Sequence, residues 1–310
     1  MKRSKITILL AIVLGMTFHS CLDLEPQDQL GGKNMWTSVN DYKQFANTFY
    51  SWTRDFSSVV YDGTHSDKRS DLITYQSYNE FSRGINSIPS SDANYTDNYK
   101  HIRRTNLLLQ NAEAYAKPED IKQYIGEAYF FRAYSYFDLL QLYGDVIITK
   151  KPLDITDPEM KVKRNDRSEV VDLIIDDLNH AVENLPAFKE LTTEEEGRIS
   201  KEGAQAFLSR VALYEGTWQK SRNGNQNTQR SANLLDIAAK AARTVIDAKY
   251  GYTFRLFGTD SETKILGDSA QKYMFILENE KSNPAGIKKS SNHEYIFARR
   301  HDQVLSLIHI

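Results

Sequence analysis

The stretch Ile125-Gly-Glu-Ala-Tyr-Phe-Phe-Arg-Ala-Tyr-Ser-Tyr-Phe-Asp-Leu-Leu-Gln-Leu-Tyr-Gly-Asp-Val146 decides the fold. Its spacing predicts a helix over residues 118–143 that is apolar on most faces and must therefore be buried on most faces. Pro118 opens the helix in its first turn, where a missing N–H costs nothing, and Gly144 stops it. Ala128 and Ala133 let neighbouring helices approach closely. Glu127, Arg132 and Asp138 interrupt the apolar run. Charges in such a place read as members of buried or half-buried ion pairs that lock register between helices, and the same reading covers Arg198 and Arg210. The aromatic rings of this helix read as core and not as a ligand platform.

Helical spacing extends in both directions. Upstream, Tyr99, Ile102, Asn106, Leu109 and Ala112 mark a helix over residues 97–117, and a first helix falls over residues 36–49. Downstream, Ser168 is a good N-cap for a stripe of Val171, Ile174, Ile175, Leu178, Val182 and Leu185, followed by Pro186. Two more helices fall over residues 200–216 and 233–248. Glycine and proline are sparse, at 15 and 7, which favours long regular elements over a β-sandwich. Paired helices with small residues at their crossings predict a mainly α fold, a tetratricopeptide-like array of helical hairpins with irregular spacing.

Residues 50–96 lack helical period and are rich in Ser, Asp, Asn, Tyr and Gly, which predicts a long irregular excursion; loops of that length are usually functional or disordered. Trp52, Tyr61, Tyr75, Tyr78 and Phe81 stand there among Asp71, Asn79, Arg83 and Asn86. Flat rings beside amide and charged side chains suit sugar recognition, because apolar ring faces stack and hydroxyls take hydrogen bonds. Trp52, Tyr61, Tyr75, Tyr78, Asn79 and Arg83 are the candidate ligand-binding residues. Exposed aromatics on loops also serve protein interfaces. The 18 tyrosines exceed what a core needs, since each hydroxyl wants water or a partner, and they suit a surface that stacks on something.

The N-terminus opens with Lys2, Arg3 and Lys5, runs apolar over residues 6–18 and closes on His19-Ser20-Cys21. That run is too short for a membrane span, which needs roughly 20 apolar residues, and reads as a targeting peptide. Cys21 is the only cysteine of the chain, so it has no disulfide partner within the chain. Its placement resembles the lipobox of bacterial lipoproteins, in which the thiol is acylated and the peptide is cut before the cysteine. Several acyl chains on one cysteine hold membrane far more firmly than one.

Other function classes find little support. A formal charge of −2 offers no electrostatic case for nucleic acid. There is no Gly-x-Ser-x-Gly elbow, Walker loop or His-Glu-x-x-His, and the seven histidines have no metal-ligand spacing. Asp176-Asp177 and Glu194-Glu195-Glu196 read as a solvated helix face and loop. Neither a catalytic residue nor a metal or other cofactor is expected.

Four patches resemble the SusD/RagB family of outer-membrane lipoproteins from Bacteroidota. They are Cys21-Leu-Asp-Leu-Glu-Pro; Tyr99-Lys-His-Ile with Asn106 and Leu108; Glu127-Ala128, Phe131-Arg132-Ala133, Tyr136-Phe137-Asp138-Leu139 and Tyr143-Gly144-Asp145-Val146; and Gly197-Arg198, Ser200-Lys201, residues 204–214 and Gly216-Thr-Trp218. Arg167-Ser168, Asp177-Leu178, Ala181 and residues 238–250 add to them. Ile147 departs from the family, which usually has Pro there.

The resemblance implies a lipid-anchored protein at the cell surface of the outer membrane. It would bind an oligosaccharide and deliver it to a SusC-like TonB-dependent transporter, over which the helical body sits as a lid. A peptide ligand, as for RagB-like proteins, and a helical scaffold without a small ligand are the alternatives. The expected organisation is a signal peptide over residues 1–20, a tether over 21–35 and a SusD-like helical domain over 36–303. Family members are generally much longer, so this domain is expected to be their N-terminal portion. The apolar residues 304–310 read as a truncated or non-native end that leaves some core surface exposed.

Overall fold

The computed structural model describes residues 35–54, 83–222, 228–277 and 281–298. The principal helices are α1 (Val39–Asn47), α2 (Ala93–Glu113), α3 (Lys122–Tyr143), α4 (Arg167–Asn184), α5 (Lys201–Arg222), α6 (Thr228–Ile246) and the single turn α7 (Ala270–Tyr273). Among the described residues there is no strand, only one isolated bridge between Val146 and Asn165. Each long helix packs on the next, α2 on α3 through α5 on α6. A stack whose members mainly touch their neighbours is the expected hairpin array.

Local chemistry sets the ends. Ser38 and Asp41 close a capping box on α1, and Asp92 caps α2 by accepting from the Asn94 N–H at 2.9 Å; each satisfies donors that a helix start leaves orphaned. Pro118 opens a 3-10 turn, Pro118–Ile121, that leads into α3. Gly144, at φ +74°, ends α3 in a conformation that costs glycine little. Several boundaries differ from the sequence expectation. Residue 166, not Ser168, caps α4, α5 runs on to Arg222 and α6 starts at Thr228. The excursion is also shorter at both ends. Thr48–Trp52 forms a 3-10 turn whose Phe49 and Tyr50 are buried, and Ala93 already belongs to α2. A short-range tyrosine pattern does not reveal that Tyr50 packs edge-on against Phe131 of α3, centroids 4.9 Å apart.

The core centres on α3, as its sequence requires. Ala128, Phe131, Ala133, Tyr136, Leu139 and Leu140 are fully buried. Gly126 lets the end of α4 come in: a Cβ there would lie 2.9 Å from the Leu185 Cγ and 3.0 Å from its backbone nitrogen. Three arginine–carboxylate pairs tie the stack together. Arg132 of α3 donates two bonds to Asp177 of α4, at 2.8 and 2.6 Å, and a third to the Asn106 side-chain oxygen of α2 at 2.8 Å. Arg198, just before α5, has Nη1 2.7 Å from both oxygens of Glu127 and also donates to Asn47. Arg167 of α4 pairs with the buried Glu215 of α5 at 2.8 Å and lies over the Trp218 ring at 4.2 Å. Burial opposes the Arg132 charge, but the hydrogen bonds and charge of Asp177 outweigh it, so the guanidinium sits above its ordinary value. Glu127 does the same for Arg198.

Several tyrosines turn out to be fasteners rather than an exposed stacking surface. Tyr42 donates to the Asn111 carbonyl at 3.0 Å, and the Tyr50 hydroxyl accepts from the Ile199 N–H at 3.1 Å. Tyr99 donates to the Ile147 carbonyl at 2.8 Å and accepts from its N–H at 2.9 Å. Tyr136 accepts from the Thr149 N–H at 2.7 Å. With Asn106 donating to the Thr149 carbonyl, these groups satisfy the backbone after α3, which has no strand ladder to do so.

A second, smaller apolar cluster joins Phe257, Leu266, Ala270, Leu277 and Ile287. Leu256, Ile265 and Phe275 are exposed nearby in sequence. No helix among the described residues is long and apolar enough to cross a membrane.

Candidate functional site

At the start of α2, polar residues recur at the spacing of one helix face: Asn94, Asp97, Asn98 and His101. Tyr134 and Asp138, one turn apart, come from α3. The turn after α1 adds Trp52 and Arg54. These side chains line a cavity of about 180 Å³. Arg54 donates to the Asp138 carboxylate at 2.6 Å. Asn98 donates to the other Asp138 oxygen at 3.1 Å and to the Asn94 carbonyl at 2.8 Å. Asp97 pairs at the rim with Lys100 at 2.7 Å.

Trp52 is held from several sides. Its ring lies parallel to His101 at 15°, centroids 4.1 Å apart, and meets Phe131 edge-on at 5.9 Å. It forms a wall of the cavity, half-buried, and gives one face to histidine. Burial pulls the His101 imidazole down to about 4, with the Asp97 charge acting in the opposite direction, so the ring is neutral near pH 7. Burial pushes the Tyr134 hydroxyl up against the pull of the Arg54 charge.

Of the sequence candidates, Trp52 is brought to this cavity. Arg83 is exposed and outside its lining. Tyr61, Tyr75, Tyr78 and Asn79, with Asp71, Phe81 and Cys21, lie outside the described residues. Arg54, Asn94, Asp97, Asn98, His101 and Tyr134 were missed, and Asp138 was read only as an ion-pair partner, which it is. The available signal was the polar spacing at 94, 97, 98 and 101, hidden because residues 93–96 read as loop. No cluster of three metal-ligating side chains occurs among the described residues.

A wider groove of about 480 Å³ lies between α4 and α6, lined by Asp172, Ile175, Asp176, Arg230, Leu234 and Ile237 among others. It has no aromatic ring in its lining, and the smaller cavity has two besides an imidazole. For a flat, hydroxylated ligand the smaller cavity is the better match.

A family profile described as "Starch-binding associating with outer membrane" matches residues 22–213. The chain belongs to this SusD-like family. A SusD-like protein of Formosa agariphila is 28% identical over 233 residues, which is 69% of this chain and 42% of that protein. Among solved structures, a SusD-like protein from Bacteroides fragilis superposes with a TM-score of 0.62 at 21% identity, over 90% of this chain and 48% of that one. Another, solved with a xylogluco-oligosaccharide, gives a TM-score of 0.54 at 21% identity, over 86% and 46%. The SusD-like chain spans about half the length of these relatives. The structural likeness confirms the mainly helical SusD-like fold expected from sequence.

Proposed function

We propose that the chain is a cell-surface lipoprotein, anchored through Cys21, that captures an oligosaccharide and delivers it to a SusC-like TonB-dependent transporter in the outer membrane. The observation that carries capture is the convergence of Trp52, Tyr134, Asn98 and the Arg54–Asp138 pair on one cavity. It places a carboxylate, a guanidinium and amides beside flat rings, the set that hydroxyl-rich rings require. Membership in a family described as starch-binding and associated with the outer membrane supports the same reading. Tyr61, Tyr75, Tyr78, Asn79 and Arg83 stay in the proposal as candidate ligand contacts in their own right. The chain is not an enzyme in this reading: it binds and hands on.

The test is a calorimetric screen of oligosaccharides and peptides against the full chain in a non-glycosidic detergent. A glycan that binds, and binds less well after Asn98→Ala, supports capture at this cavity. A peptide hit in place of glycans would make it a peptide-uptake protein. Silence for both, with intact co-purification of a transporter, would leave a bracing scaffold.

A further inference from the structure

The arginines that lock the stack, Arg132, Arg167 and Arg198, each face a carboxylate. Arg104 of α2 does not, although it is half-buried. Its guanidinium lies over the Phe45 ring, 4.6 Å from the centroid, and donates to the Thr48 hydroxyl at 3.0 Å. Thr48 in turn donates to the Phe45 carbonyl at 2.7 Å, so α1 and the turn after it hold the fork in place. Burial pulls the Arg104 charge below its ordinary value, and no carboxylate among the described residues opposes that pull. The face of a phenyl ring repays only part of the cost of desolvating a cation. A guanidinium has five N–H donors, and Thr48 takes one. The others keep the planar geometry that suits an oxyanion.

Arg104 stands one turn after His101 on α2, and its charge disfavours protonation of that imidazole. His101 and Trp52 stack on each other and line the cavity. The charges at the cavity itself are matched, Asp97 by Lys100 and Asp138 by Arg54. The unmatched charge next to it is the Arg104 cation. A free anion gains little from one guanidinium that water still reaches. An anionic group attached to a sugar already held next door arrives at a high effective concentration and gains far more.

We propose that Arg104, oriented by Thr48 and Phe45, receives the carboxylate or sulfate of a sugar unit next to the one in the cavity, so that the ligand is an acidic oligosaccharide. The proposal rests on the glycan-capture reading and names its substrate class.

The experiment titrates matched pairs into the full chain in a non-glycosidic detergent at low and moderate salt: α-1,4-linked galacturono- against galacto-oligosaccharides, and carrageenan oligosaccharides against their desulfated forms. Inorganic sulfate alone is a third arm. The expected result is an acidic member that binds roughly tenfold tighter than its neutral twin at low salt, with the preference shrinking as salt rises. Arg104→Gln should bring the acidic member down to the level of its twin. Arg104→Lys, which keeps the charge and loses the fork, should retain part of the preference. Urea midpoints of both variants check that the fold survives. A neutral sugar that binds as tightly as its acidic twin, or more tightly, overturns the proposal and leaves capture standing. A preference that neither variant moves also overturns it, since the acidic group would then be held elsewhere. Binding of inorganic sulfate with no oligosaccharide bound would make this an anion site and overturn the glycan assignment. Silence in every arm overturns the capture reading itself, and the proposal with it.

Discussion

Arg132 and Asp177 face each other through two hydrogen bonds, 2.8 and 2.6 Å long, with both side chains almost wholly removed from water. Removing one partner strands the other. Asp177→Ala is expected to cost about 3–5 kcal/mol of stability. The double replacement Arg132→Met with Asp177→Leu should cost much less, because no buried charge is left alone. Urea denaturation followed by helical circular dichroism measures both. Equal losses in the two variants would mean that the charge pair is not what holds α3 to α4.

Gly126 is a second point of tight contact between the same elements. In open space Gly→Ala within a helix would gain up to about 1 kcal/mol. Here the new methyl would press on the Leu185 side chain and backbone at 2.9 and 3.0 Å. Gly126→Ala should therefore be neutral to destabilising, and Gly126→Val should lose about 1–3 kcal/mol. Thermal melts of the two variants would show it; a stabilised valine variant would contradict the close approach.

The His101 ring should titrate with a midpoint near 4, against an ordinary value of 6.5, in a ring-proton NMR titration. The folded chain then binds this proton less readily than the unfolded chain. Its contribution to stability is whole above about 6.5 and declines as the pH falls toward about 4, where the folded ring itself takes the proton. The loss of urea midpoint between pH 7 and pH 5 should be smaller in His101→Gln than in the parent.

Arg54 and Trp52 should part company under mutation. The Arg54–Asp138 pair is partly open to solvent, so Arg54→Ala should change stability by only about 0–1 kcal/mol while weakening glycan binding. Trp52 packs on Phe49, Phe131 and His101, and its removal to alanine should cost about 3 kcal/mol as well as affinity. Calorimetry beside urea denaturation separates the two effects.

Cys21→Ser tests the anchor. Cells fed a labelled fatty acid should label the parent and not the variant, and the variant should leave the outer-membrane fraction. A labelled serine variant would place the acylation elsewhere.

The body of the fold was legible for a plain reason. A helix as apolar as α3 has one solution, and the charges inside it, Glu127, Arg132 and Asp138, had to be paired. Their partners were not all legible, because Asp177, Arg198 and Arg54 are 45, 71 and 84 residues away and no local pattern links them. Helix starts were misjudged where Asp and Asn gather. Asp92 and Asn94 look like a loop until one sees that such residues also cap helices. The cavity was only partly foreseen. Trp52 was picked as a ring among polar neighbours, but its site is completed by Asn98 and Asp138 from two separate helices, and that juxtaposition exists only in three dimensions. Tyrosine abundance misled in part, since Tyr42, Tyr99 and Tyr136 spend their hydroxyls on backbone.

The three arginine pairs are individual locks: one joins α3 to α4, one joins α4 to α5, and one ties the start of α5 back to α3. Arg132 fits Asp177, Arg198 fits Glu127, and Arg167 fits Glu215. In a consensus repeat protein the units are interchangeable, and one can be cut out or copied in with little harm. Here a hairpin that was deleted or duplicated would leave an arginine without its carboxylate inside a dry interior. The array is thus an ordered set of unlike parts, and evolution can reshape its loops far more freely than it can change its length.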